Sequence, residues 1–177
     1  MGAAKRTERF EALIRRNGPD LSRYFQRRLL NGADAAEAYG ELLLTAWKIR
    51  RKMPVDEADG RMWLFATARN VVLNTRRTLA RRSAAVQRLI DDTRSMSAPA
   101  SGFDSAAEVR DAIASLAPDD AELVRLVYWD GLRSHEAATV LRINPSTARS
   151  RLSSAKRQLR ALLEPVTTTT PRRESPD

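Results

Sequence analysis

The stretch Arg142-Ile143-Asn144-Pro145-Ser146-Thr147-Ala148-Arg149-Ser150-Arg151-Leu152-Ser153-Ser154-Ala155-Lys156-Arg157-Gln158-Leu159-Arg160 decides how the rest of this 177-residue chain is read. Asn144 suits a helix N-cap, because its side-chain oxygen can accept from a free backbone N–H of the first turn. Pro145 follows at the first helical position, where its missing N–H is no loss. At about 100° per residue, Ala148, Leu152, Ala155, Leu159, Leu162 and Leu163 fall on one narrow apolar stripe. Ser146, Thr147, Arg149, Ser150, Ser153 and Arg157 lie across the other side. The stretch carries six basic residues and no acid. Such a helix packs by one face and offers hydroxyls and guanidiniums by the other, groups suited to phosphates and base edges.

Working back from it, residues 134–141 form a short helix, and Arg142-Ile143-Asn144 a tight turn. Short helix, turn and basic helix make a helix-turn-helix by pattern. Further back, residues 108–116 read as a helix, and Pro118 with Asp119-Asp120 opens another that ends at Asp130-Gly131. Leu123, Leu126 and Val127 point inward there. Residues 91–107 hold four Ser, a Pro and a Gly without periodicity, the composition of a flexible linker.

In the first half, residues 7–16 read as a helix with Phe10, Leu13 and Ile14 on one face, stopped by Asn17-Gly18-Pro19. Residues 20–30 form a second, with Leu21, Tyr24, Phe25 and Leu29 inward, and residues 34–51 a third anchored by Leu43, Leu44 and Trp47. Residues 53–60 are an acidic, irregular loop. A long helix then starts near Arg61, with Leu64, Ala68, Val71, Val72, Thr75 and Leu79 as its apolar stripe. Outside that arc sit Arg69, Asn70, Asn74, Arg76, Arg77 and Arg81. No β-alternation persists. The expected fold is all-α: two small helical domains joined by a flexible linker, the C-terminal one a helix-turn-helix. The divisions are 1–90, a linker at 91–107, 108–164, and a disordered tail at 165–177.

The net charge is +9 and the pI about 10.9, a balance that favours a polyanionic partner. The charge is concentrated in two acid-free stretches, 61–88 and 142–160. There is no Cys, so disulfides and thiolate metal sites are excluded, and a single His argues against zinc. No nucleophile–base pair or Gly-rich phosphate loop is visible. The expectation is therefore no catalytic residue, no metal and no cofactor. No apolar run approaches a membrane span and residues 1–9 lack a signal-peptide core, so the chain is expected to be cytoplasmic without membrane insertion of its own.

Leu116-Ala117-Pro118, Gly131-Leu132, Glu136-Ala137-Ala138 and Thr147-Ala148-Arg149-Ser150-Arg151-Leu152 together resemble region four of bacterial RNA polymerase sigma factors of the extracytoplasmic-function type (sigma-70-like, group IV). Trp63-Leu64, Ala68-Arg69-Asn70 and the following arginine cluster resemble region two of the same family. Residues 34–47 match the length of its polymerase-docking helix, with Glu41, Ala46 and Trp47 in place. The sequence departs from the family at Ala36, Glu37, Ala38, Tyr39 and Gly40, where an acidic pair, Leu-Val and a Gln are usual. Gly40 costs that helix ~1 kcal/mol against Ala. Arg142 stands where Gly is usual, and Arg133 where a Ser cap is usual, leaving Ser134 as a substitute cap.

The resemblance implies an alternative sigma factor that binds core RNA polymerase and directs promoter-specific initiation. Glu37, Glu41 and Trp47 would contact polymerase. Arg69, Arg76, Arg77 and Arg81 would take phosphates of the melted promoter element, while Asn70 and Asn74, with the 53–62 loop, would hold flipped bases. Trp63 and Phe65 are candidate stacking platforms, though Trp63 borders the apolar stripe and reads as core. Arg142, Ser146, Thr147, Arg149, Ser150, Arg151, Ser153 and Arg157 would face the upstream promoter duplex, led by Arg149 and Arg151. His135 reads as an exposed polar residue and Glu136 as a structural or polymerase-facing acid. An anti-sigma protein is the further partner the family implies. The competing reading is a helix-turn-helix regulator that binds duplex DNA without acting as a polymerase subunit.

Overall fold

Gly18 and Pro19 do not end the first helix. In the computed structural model, which describes residues 2–90 and 105–163, α1 runs unbroken over Ala3–Gln26. Leu13, Asn17, Leu21 and Tyr24 continue one buried stripe through the expected break. The Asn17 amide donates to the Leu13 carbonyl (2.9 Å) and the Arg61 guanidinium donates to the Asn17 carbonyl oxygen (2.8 Å). Pro19 lies on the exposed side, where the carbonyl it leaves without a donor can face water. Packing of one continuous face outweighs the local breaker signal.

Asn31 caps α2 (Gly32–Lys48) by accepting from the Ala33 N–H (2.8 Å). The core residues of α2 are Ala35, Ala38, Leu42 and Ala46. The expected anchors shift accordingly: Leu43 is half-buried, while Leu44 and Trp47 are 62% and 39% exposed. The buried positions follow a strict i, i+3, i+4 course set by the small alanines, which bulk alone does not reveal. A short turn at Arg50–Lys52 leads into α3 (Glu57–Ile90), which starts four residues earlier than its apolar stripe suggests. Asp56 supplies the start, accepting from the Asp59 N–H (3.1 Å). Leu64, Ala68, Val71 and Val72 are buried as expected, and Phe65 with them. Phe65 meets Tyr24 edge-on at 5.5 Å and is core rather than a stacking platform.

The second group of helices is α4 (Ser105–Ala114), α5 (Pro118–Tyr128), α6 (Ser134–Leu141) and α7 (Pro145–Leu163). Among the described residues there is no strand. Residues 91–104 of the expected linker and the tail from 165 lie outside the described residues. The cap of α6 is Arg133, whose backbone N–H is held by the Glu136 carboxylate (2.6 Å). Ser134 is therefore inside the helix and not a substitute cap, and its hydroxyl is buried without a hydrogen-bond partner. Glu136 is a structural acid.

The turn between α6 and α7 closes as a Schellman motif, Ile143 N–H donating to Ala138 O (3.0 Å) and Arg142 N–H to Thr139 O (3.2 Å). Arg142 takes the left-handed conformation that this requires (φ 57°, ψ 41°). Asn144 then accepts from the Ser146 N–H (2.9 Å), and Pro145 is the first residue of α7. Ala148 and Ala155 are buried, with Leu152 and Leu159 partly so, but the stripe ends there: Leu162 and Leu163 are exposed.

The two groups of helices are packed together. Leu123, Leu126, Leu132, Ala137, Ala138, Val140 and Ala148 belong to the same buried cluster as Leu21, Phe25, Leu42 and Leu64. Helix α6 lies on α3, where Ala137 and Ala138 allow a close approach. A smaller cluster of Ile113, Leu116, Ala121, Val124 and Ala155 holds α4, α5 and α7 to one another.

Candidate nucleic-acid interface

Helix α7 presents Ser146, Arg149, Ser150, Ser153 and Arg157 on its exposed side, with Arg142 exposed at the turn before it. Thr147 is half-buried, and its carbonyl accepts from the Ser150 hydroxyl (3.0 Å). Arg151 stands apart. Residues two apart on a helix point roughly 160° from one another, so Arg149 and Arg151 cannot share a face. Arg151 is turned toward the first turn of α5, with its guanidinium 3.9 Å from Asp120 and 4.0 Å from Asp119. His135 is exposed at the start of α6.

The six α3 residues expected to meet the melted strand divide in two. Asn70, Asn74, Arg77 and Arg81, at i, i+4, i+7 and i+11, form one exposed stripe. Arg69 and Arg76 lie on another side, facing the second group of helices. The Arg69 guanidinium is 3.7 Å from Asp119, and that of Arg76 donates to the Arg28 carbonyl (2.8 Å). The 53–56 loop is held by Arg9, which donates to the carbonyls of Pro54 (2.9 Å) and Val55 (2.8 Å). It borders a cavity of about 280 Å³ between Arg9, Arg16 and Gly60. Along α3, the start of the helix at Glu57 lies roughly 20 Å from Asn70, at 1.5 Å per residue. The loop and the two asparagines therefore form separate positions and cannot hold one base together.

On α2, Glu37 and Glu41 are exposed and share a face with Leu44 and Lys48. Trp47 sits at the edge of that face, edge-on to Phe10 at 5.5 Å, with the Arg50 guanidinium 3.8 Å above its ring. Among the described residues no group of His, Cys, Asp and Glu could hold a metal ion, and no helix is long and apolar enough to cross a membrane.

Residues 13–82, spanning α1 to α3, match the Sigma-70 region 2 family, and residues 106–159, spanning α4 to α7, match the Sigma-70, region 4 family. The chain belongs to the sigma-70 family, in its extracytoplasmic-function branch. It is similar to the ECF RNA polymerase sigma factor SigL of Mycobacterium tuberculosis, 29% identical over 92% of this chain and 93% of that one. It is also similar to SigC of the same species, 35% identical over 61% and 59%. Its fold resembles that of the sigma factor RpoE solved with the anti-sigma factor NepR from Bartonella quintana, with a TM-score of 0.64 and 21% identity over 88% of this chain and 97% of that one. It resembles equally CnrH in complex with the cytosolic domain of CnrY, with a TM-score of 0.61 and 20% identity over 89% and 88%.

In this sigma factor the sequence reading took Leu44 for a core anchor, although it is an exposed leucine between Glu41 and Lys48. The signal was available: bulk on the polar side of an otherwise alanine-lined helix. It passed over Arg9, whose hold on the 53–56 loop joins residues more than forty positions apart and leaves no local pattern.

Proposed function

We propose that this alternative sigma factor divides its work among three faces. The α2 face of Glu37, Glu41 and Trp47, extended by Leu44, docks on core RNA polymerase. The outward α3 stripe of Asn70, Asn74, Arg77 and Arg81 receives the melted promoter strand: cations track the backbone, and amides meet unstacked bases. The exposed α7 face enters the major groove of the upstream duplex, Arg149 and Arg157 taking phosphates by default and Ser146, Ser150 and Ser153 lying nearest the base edges. Arg69, Arg76 and Arg151 lie off these faces and add positive charge for phosphates beside them.

We assign residues 1–90 to docking and melting, 91–107 to a linker, 108–164 to duplex recognition and 165–177 to a tail. The chain performs no covalent chemistry and works in the cytoplasm, where polymerase is. An anti-sigma protein completes the reading, since the similar fold of RpoE was solved with the anti-sigma factor NepR. The open groove of about 1290 Å³ between Leu29, Leu30, Val109 and Trp129 offers it apolar surface on both groups of helices.

The observation that carries this reading is the pair of region matches, in order, each on a helical unit with an acid-free basic helix. A regulator that only bound duplex DNA would have no use for α1 to α3. The test is to add the purified protein to core RNA polymerase and measure run-off transcripts from a library of random promoters. Selective transcripts are expected and would return the promoter motif. DNA binding without transcripts would make the chain a plain helix-turn-helix regulator.

A further inference from the structure

Arg28 lies in the turn after α1, and its side chain is 1% exposed. Its charge has no acidic partner in the first group of helices. Nη2 donates to the Asp130 carboxylate (2.7 Å) and Nε to both oxygens of Glu122 (3.0 and 3.1 Å), residues of the second group. The side chain of Asp130 is 0% exposed and that of Glu122 12%. Arg27 reaches the same turn, donating to the Trp129 carbonyl and to Asp130 (3.3 Å), and Arg61 donates to the Asp130 carbonyl (3.2 Å). Three arginines of one unit thus converge on the α5–α6 turn of the other.

The same packing uses up part of the nucleic-acid surface. Asp119 of α5 lies 3.7 Å from the Arg69 guanidinium of α3 across the contact, while Arg151 meets Asp119 and Asp120 within the second unit itself. An acid beside an arginine takes the place a phosphate would take.

We propose that Arg28 with Asp130 and Glu122 is an interdomain lock, and that the locked protein is self-inhibited because closure sets Asp119 of the second unit against Arg69, a cation that nucleic acid needs. The inference rests on the proposed function for what Arg69 does, but not for the lock itself. Buried ion pairs fix register more than they add net stability, because separation returns both charges to water. The lock therefore specifies one closed arrangement without making it irreversible. Nucleic acid and closure compete for Arg69, and the apparent affinity of the free protein scales with the fraction that is open.

The test uses the full chain. It has no cysteine, so Glu11→Cys with Gln158→Cys places one spin label on each unit at exposed positions. Pulsed electron resonance should give one narrow distance for otherwise wild-type protein. Asp130→Asn and, separately, Glu122→Gln should give longer and broader distances, with helix content checked by circular dichroism. Glu122 is the less buried, so it reads the lock even where Asp130→Asn costs folding. In the same variants, affinity for a fluorescent single strand of random sequence should rise about tenfold. Glu8→Gln, an equal loss of charge at an exposed site away from the contact, should leave both readings unchanged. A wild-type distance already broad, distances unmoved in both variants, or opening without a gain in affinity would each overturn the lock. Run-off transcripts absent from wild type and opened variants alike, with the distances moving as expected, would count against the sigma-factor reading alone.

Discussion

Helix α3 buries Leu64, Phe65, Ala68, Val71 and Val72, whereas α7 buries only Ala148 and Ala155 completely. Both are long, basic and acid-free over most of their length, yet they stand differently in the fold. Helix α3 touches α1, α2 and α6, so wide sectors of its circumference are spoken for and its arginines are sorted by direction. Helix α7 rests on α4, α5 and α6 through small side chains, and most of its polar face is left over. A basic helix is read well from sequence when its buried stripe is narrow. When the stripe is wide, neighbours decide which cations remain available.

The largest effect should come from opening a hole under α3. Phe65→Ala should lower unfolding free energy by about 3–5 kcal/mol in chemical denaturation, the range for emptying a buried aromatic site. Its counterpart is Ala155→Leu, which overpacks the seat of α7 and should cost about 1–3 kcal/mol. Equal losses would erase the distinction between the two helices. Arg149→Ala should then weaken duplex binding by about 1 kcal/mol, roughly fivefold in Kd, and reduce the salt slope by about one. Arg151→Ala should do clearly less, because that side chain faces α5; identical losses would place both residues on one working face.

A smaller change is expected at the α6–α7 turn. Arg142→Gly should raise stability by about 0.5–1 kcal/mol, seen as a higher melting temperature, by relieving the left-handed strain. The smallest concerns acid. Burial raises the Asp20 carboxyl, but the Arg61 guanidinium above all, helped by Arg23, outweighs this and holds it below the usual 3.8. The stability it contributes is present above that value and is lost as pH falls through the depressed one. Asp20→Asn should lower the melting temperature slightly near neutrality and flatten its fall on the acid limb, so that the two proteins converge at low pH.

The second half was legible because its signals are local. Asn144-Pro145, Pro118 with two following acids, and the alanine stripe of α7 each act within one or two turns. The first half misled where partners are distant. Asn17 supports α1 across Pro19 with the help of Arg61, forty-four residues away. Leu44 has the bulk of a core residue but the wrong angle. The division of Arg69 and Arg76 from Asn70, Asn74, Arg77 and Arg81 is set by where α5 and the Arg28 turn come to rest. No periodicity within α3 records that.

The three tryptophans are placed one to each of the regions discussed above. Trp47 stands on α2 beneath the Arg50 guanidinium, Trp63 is packed beside the α3 core, and Trp129 closes α5 where Arg27 meets its carbonyl. The molecule thus carries its own optical probes. With two of them changed to phenylalanine, emission from the third follows polymerase docking at Trp47, the integrity of the first unit at Trp63, or the parting of the two units at Trp129.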